Sequence, residues 1–171
     1  LVERFRILFR ELGVSADAFK AKQLYEENLK NSVFFVRGAK SFLKKAHKRY
    51  RLYLVSNGTA AVQDRRIEIA GIARYFNGIF ISERVGFVKP DKAFFDACFS
   101  FIPDFSRDKT VIVGDSLSSD IAGGIYAGIR TCLFIPLKEA KKQKSGEGVV
   151  ACAPDYRVKN FKRLLLLLKR I

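Results

Sequence analysis

Methionine and tryptophan are missing from this chain of 171 residues, and histidine occurs once, at His47. With His47 as the single histidine, neither a His-based metal site nor a His-based catalytic dyad is expected. The three cysteines, Cys98, Cys132 and Cys152, are odd in number, widely spaced and free of any Cys-x-x-Cys pair. They indicate neither a disulfide framework nor a zinc site, and reduced thiols in a cytoplasmic protein are the expectation. No apolar run comes near the roughly 20 residues that a membrane helix needs. The run Leu164 to Leu168, between Arg163 and Lys169, reads instead as the buried face of a last helix, so no membrane partner is expected. A secretory signal is not indicated either, because Leu1-Val2-Glu3-Arg4-Phe5 is already an amphipathic helical pattern. With no methionine at position 1 and a start in mid-helix, the sequence is expected to be a piece of something longer.

What is present fits one soluble globular domain: 49% of residues are hydrophobic, 29% are charged, and no low-complexity tract interrupts them. The net charge of +15 is the dominant bulk feature. It gathers at Lys44 to Arg51, Lys138 to Lys144 and Lys159 to Arg170. A nucleic-acid-binding module would use such stretches, but no helix-turn-helix, zinc-finger or RNP pattern accompanies them. Solvated helix ends and one basic loop are the expected reading, with nucleic acid not expected as a partner. A positive field would also favour an anionic substrate.

Two helical patterns come first, Val2 to Leu12 and Ser15 to about Asn31, with Ser15 as the expected cap of the second. A third runs from Gly38 to about Arg49. From there short apolar runs alternate with helical stretches. The runs are Leu52-Tyr53-Leu54-Val55, Gly78 to Ser82, Thr110 to Gly114 and Thr131 to Ile135. Helices are expected at Ala60 to Ala70, Ala93 to Phe101, Ser119 to Ala127 and Phe161 to Arg170, with a loop at Lys144 to Gly148. Alternation of this kind implies an α/β fold, a parallel sheet with helices on both faces.

Ligands of such sheets sit beyond the carboxyl ends of the strands, which directs attention to the residues that follow each run. Ser56-Asn57-Gly58 offers a hydroxyl and successive backbone N–H groups at a strand-to-helix turn, a geometry suited to phosphate oxygens although also that of an ordinary turn. In Gly114-Asp115-Ser116-Leu117-Ser118-Ser119-Asp120, two carboxylates five residues apart can turn toward one point. Paired carboxylates suit a hard cation such as Mg²⁺, whereas helix capping would account for only one of them. Lys89-Pro90 lies between these segments, near the start of the next helix. A lone lysine is usually a solvated side chain; its place between the other two motifs singles this one out.

Together, Val55-Ser56-Asn57-Gly58, Val88-Lys89-Pro90 and Val113-Gly114-Asp115-Ser116-x-x-x-Asp120 resemble motifs II, III and IV of the haloacid dehalogenase (HAD) superfamily, in that family's order. The stretch Asp120 to Gly128 looks like the segment after motif IV in the subgroup with a small helical cap. With Phe80-Ile81-Ser82-Glu83-x-Val85-Gly86 it is similar to the YjjG-type pyrimidine 5′-nucleotidases. The resemblance covers about residue 36 to the C-terminus. It implies a Rossmann-like HAD core over 36–171 and the C-terminal helices of a helical cap over 1–35. It further implies that Ser56, Asn57 and Gly58 bind the phosphoryl group, with Lys89 neutralising charge there in a catalytic role. Asp115 and Asp120 would serve the metal, Mg²⁺, Asp120 as ligand or as anchor. The implied activity is Mg²⁺-dependent hydrolysis of small phosphomonoesters, nucleoside monophosphates among them. The Asp115–Asp120 pair favours phosphatase over the metal-free dehalogenase branch.

One motif of the family is not in this sequence. Motif I, Asp-x-Asp on the first strand, carries the nucleophile and the general acid–base, and no two of the aspartates here are spaced by two. Without a nucleophile the chain alone is expected to be inactive, a fragment of an active parent. The alternative is a non-catalytic protein that binds phosphate. The sheet is expected to lack its central first strand, so that the strands ending at Ser56 and Gly114 either close on each other or leave the middle open.

Overall fold

The computed structural model describes residues 1–136 and 152–171. Along the chain run α1 (Val2–Glu11), α2 (Ala18–Asn31), α3 (Ala39–Ala46), β1 (Tyr53–Ser56), α4 (Ala60–Ala70), β2 (Gly78–Ile81) and α5 (Ser82–Val85). Then follow α6 (Lys92–Ser100), β3 (Val111–Gly114), α7 (Ala122–Tyr126), β4 (Arg130–Phe134), β5 (Tyr156–Val158) and α8 (Phe161–Leu168). Among the described residues all strand pairings are parallel, with helices carrying the crossovers from β1 to β2 and from β3 to β4. The basic stretch Lys138 to Lys144 and the loop expected at Lys144 to Gly148 lie outside the described residues.

The strands form two separate sheets, β1–β2 and β3–β4–β5, and β1 does not pair with β3. Of the two outcomes left open by the sequence, the middle stays open. Between the half-sheets lies an apolar cavity of about 670 Å³, lined by Val55 and Phe80 from one side, Val111 and Val113 from the other, and Cys98 and Phe99 of α6. Val113 is 38% exposed even though it stands in the middle of the fold.

One apolar cluster joins the halves, with Val55 of β1 and Phe80 of β2 packed against its edge, and a second lies in the β3–β4–β5 half. Phe94, Phe95 and Cys98 of α6 are buried against Ile112, Ala127 and Ile129, with Phe99 stacked on Phe105. Beyond β4, Cys132, Phe134 and Val158 pack on Leu164 of α8. Of the Leu164–Leu168 run, expected to be the buried face of the last helix, Leu164 is buried with Leu167 and Leu168 beside it, whereas Leu166 is 51% exposed, because consecutive helical residues point in different directions. At the other end α1 lies on α2, where Phe5 meets Tyr25 edge-on at 6.0 Å, and α2 lies against α4. Among the described residues no helix is long and apolar enough to cross a membrane.

Three local expectations are corrected. Asp17, not Ser15, caps α2: its carboxylate accepts from the N–H groups of Phe19 and Lys20, and Ser15 is too far upstream to reach them. The helix expected from Ser119 to Ala127 is divided into a π-type turn, Leu117–Ile121, and the short α7. The sequence reading also missed β5. Its three residues, with the exposed Arg157 between Tyr156 and Val158, are too few to show a periodicity.

Candidate active site

The carboxyl ends of β1, β2 and β3 bring the three motif segments to one place, on either side of the opening between the half-sheets. Asn57 zips the first to the second. Its side-chain Nδ2 donates to the Lys89 carbonyl at 2.8 Å, and its Oδ1 accepts from the Lys89 N–H at 2.9 Å. The backbone of Lys89 is thereby fixed from both faces, beside a cis peptide bond to Pro90. Asp91 then caps α6 by accepting from the Ala93 N–H.

The Lys89 side chain reaches across the opening. Its Nζ donates to the Val55 carbonyl of β1 at 3.1 Å and to Asp120 Oδ1, beyond β3, at 2.7 Å. With Lys89 only 8% exposed and Asp120 7%, this is a buried, charge-assisted pair. The other oxygen of Asp120 accepts from the Ser116 N–H at 3.2 Å. The π-type turn carries Asp120 back over the end of β3, and the Ser116 hydroxyl holds that turn by accepting from the Ser119 N–H. Gly114 makes room for it: a Cβ there would overlap the Asp120 carboxylate. Gly123 acts likewise for α7, which sits directly on Phe95 and the Pro90 backbone.

The two aspartates expected to act together therefore have different surroundings. Asp120 is buried and engaged by Lys89, whereas Asp115 is exposed and has no hydrogen-bond partner among the described residues. No group of three or more His, Cys, Asp or Glu side chains able to hold a metal ion occurs among the described residues. Asp115 remains a hard oxygen donor at the mouth of the site.

Ser56 and Asn57 stand at the end of β1 as expected, but the N–H of Gly58 is already taken. It donates to Ser82 Oγ at 3.0 Å, and the same hydroxyl lies 3.3 Å from the Gly58 carbonyl. One residue further, Glu83 accepts from the Ala60 N–H at 2.7 Å. Ser82 and Glu83 follow β2 directly, so their place after a strand was visible in the sequence while their partners were not. Below the site, burial pushes the Cys98 thiol up to about 12 against the opposing charge of Lys89, and burial alone pushes Cys132 up to about 11. No disulfide forms among Cys98, Cys132 and Cys152.

The family description haloacid dehalogenase-like hydrolase matches residues 3–134, which is most of the chain. The chain belongs to that family. HAD-hydrolase YfnB of Bacillus subtilis is 38% identical over 133 residues, covering 78% of this chain and 57% of its own length. A magnesium-bound crystal structure of YfnB superposes with a TM-score of 0.85 at 33% identity, covering 96% of this chain and 69% of that one. Pyrimidine 5′-nucleotidase PynA of Streptococcus pneumoniae is 35% identical, covering 95% of this chain and 66% of its own. For pyrimidine 5′-nucleotidase YjjG of Escherichia coli the identity is 35%, with coverages of 77% and 55%. This HAD hydrolase thus spans between 55% and 66% of the length of these three curated relatives.

Proposed function

We propose that this HAD hydrolase forms most of an Mg²⁺-dependent phosphomonoesterase acting on small substrates in the cytoplasm, nucleoside 5′-monophosphates among them. The observation that carries the reading is the Asn57–Lys89–Asp120 network at the mouth of the opening between β1 and β3. A buried ammonium stands there with phosphate-type donors on one side and carboxylates on the other. An apolar strand entering the opening parallel to β1 and β3 would end under Lys89. An aspartate at its end would face the phosphoryl group held by Ser56 Oγ and the Asn57 N–H. Attack on phosphorus would release the alcohol and leave an aspartyl-phosphate, which water cleaves to inorganic phosphate. Lys89 would stabilise the charge that builds on phosphate and nucleophile, in a place where water is excluded.

Asp115 fits a hard cation in charge and exposure, and Asp120 fits the role of anchor for Lys89 better than that of ligand, because both its oxygens are engaged. Mg²⁺ bound there would neutralise phosphoryl oxygens. Residues 1–35 we assign to the last helices of a helical cap and 36–171 to the core. PynA and YjjG motivate the nucleotide reading.

The test is turnover of p-nitrophenyl phosphate and of pyrimidine nucleoside monophosphates by the full-length protein, with and without Mg²⁺. Asp115→Asn and Lys89→Ala should each reduce the rate by about 100-fold or more, the scale for loss of a transition-state electrostatic partner. Near-full rates in both variants would refute the assignment.

A further inference from the structure

We propose that Ser82 is a positioning residue that selects which backbone amides meet the phosphoryl group. The inference rests on the reading of the Ser56–Gly58 turn as the phosphate site and deepens it. Turns of this kind present a run of N–H groups, and an anion could in principle take any of them. Here the run is sorted. The Gly58 N–H is committed to Ser82 Oγ at 3.0 Å and the Ala60 N–H to the Glu83 carboxylate at 2.7 Å. Among the described residues the N–H groups of Asn57 and Thr59 have no partner.

The alternation follows from the sheet. Ser56 is in register with Ile81, so the residue after β2 lies beside the turn after β1. Ser82 is 6% exposed, too buried for its hydroxyl to exchange partners with water, and it engages both the N–H and the carbonyl of Gly58. That double contact fixes the peptide planes on either side of Gly58. The Asn57 side chain is fixed separately, through Lys89, so the turn is gripped by the end of β2 on one side and by the segment before α6 on the other. Asn57 N–H, Thr59 N–H and Ser56 Oγ remain as the donors for phosphoryl oxygens.

The experiment uses the full-length protein and inorganic phosphate as competitive inhibitor, with two substrates that differ in leaving group. Ser82→Ala should raise the phosphate inhibition constant about tenfold, the scale of one well-placed hydrogen bond. It should lower kcat/KM for both substrates by the same factor, because the common phosphoryl group is affected and the leaving group is not. Amide hydrogen exchange at Gly58 should become fast, and Ser82→Thr, which keeps the hydroxyl, should restore all three readouts. Glu83→Ala, at an exposed position, should also weaken phosphate, whereas removal of a nearby negative charge would by itself tighten it. A purely structural Ser82 would lower the melting temperature and leave the phosphate constant unchanged, and that result overturns the proposal. If Ser56→Ala weakens phosphate while Ser82→Ala does not, the positioning role alone fails. If neither changes phosphate binding, the phosphate site itself has been misassigned.

Discussion

Asp120→Asn provides a direct energetic test of the buried pair. The substitution is nearly isosteric, so Gly114 and the π-type turn can stay in place, with the one amide oxygen turned to Lys89 and the contact to the Ser116 N–H given up. What disappears is the negative charge facing an ammonium that is 8% exposed. Removing one member of a buried ion pair costs about 3–5 kcal/mol, because the remaining charge stays desolvated without compensation. The lower end, about 3 kcal/mol, applies here, since Asn can still accept a neutral hydrogen bond from Lys89 Nζ. For a protein of this size that corresponds to a fall of roughly 6–12 °C in melting temperature. Urea titration with a double-mutant cycle is the assay. Lys89→Met with Asp120→Asn should recover about 2 kcal/mol relative to additivity, the upper range for directly coupled groups. The exposed pair of Lys92 and Asp96 on α6 is the control, and Asp96→Asn should cost less than about 1 kcal/mol. If Asp120→Asn costs no more than Asp96→Asn, the pair is solvated and the description of a dry bridge between the half-sheets is wrong.

Gly114→Ala should displace the Asp120 carboxylate and cost about 1–3 kcal/mol, as overpacking does, with a loss of activity larger than the loss of stability; equal activity to the parent would refute it. Alkylation with iodoacetamide at pH 7.5 should place a single adduct on Cys152, since Cys98 and Cys132 are buried and their thiols are pushed up to about 12 and about 11; peptide mass mapping checks the site. The Thr131 hydroxyl and then the Thr131 N–H hold the Asp155 carboxyl below its ordinary value. A lowered folded value means that this stabilisation is complete above about pH 4 and is lost as pH falls through the folded value. Asp155→Asn should therefore flatten the acid limb of a urea-midpoint profile between about pH 2 and 5, and an unchanged slope would contradict the assignment.

Much of the fold was legible because its signals are local. Four of the five strands are short apolar runs closed by turn residues, and the helices between them carry an apolar stripe or a glycine stop such as Gly71, which has a positive φ of 63°. What stayed hidden depends on partners far away in sequence. The Tyr156–Val158 strand is recognisable only beside β4, and the division of the Ser119–Ala127 stretch arises because Asp120 must turn back to Lys89. The site divides in the same manner. Ser56, Asn57, Lys89 and Asp115 stood out as candidates because they follow strands or flank a proline. Ser82 was visible as a position but not as a contact, and nothing in its neighbours' identity announces the Gly58 amide 24 residues away. Asp120 was read as metal ligand or anchor because spacing gives proximity to Asp115, whereas its contact with Lys89 joins residues 31 positions apart.

The separation of the two half-sheets also acts as a ruler. Adjacent strands stand about 4.8 Å apart, so two strands with one place between them are about 9.6 Å apart. Ser56 and Asn57 stand on one side of the opening and Asp115 on the other, so a single strand filling it would set their spacing by strand pitch and not by side-chain rotamers. Substitutions within β1 or β3 can loosen either side without altering the count. A change in the number of strands between them would shift one side by nearly 5 Å, well beyond the tolerance of the in-line displacement at phosphorus proposed above. Lys89 is the side chain that spans the opening, bonded to Val55 on one side and to Asp120 on the other.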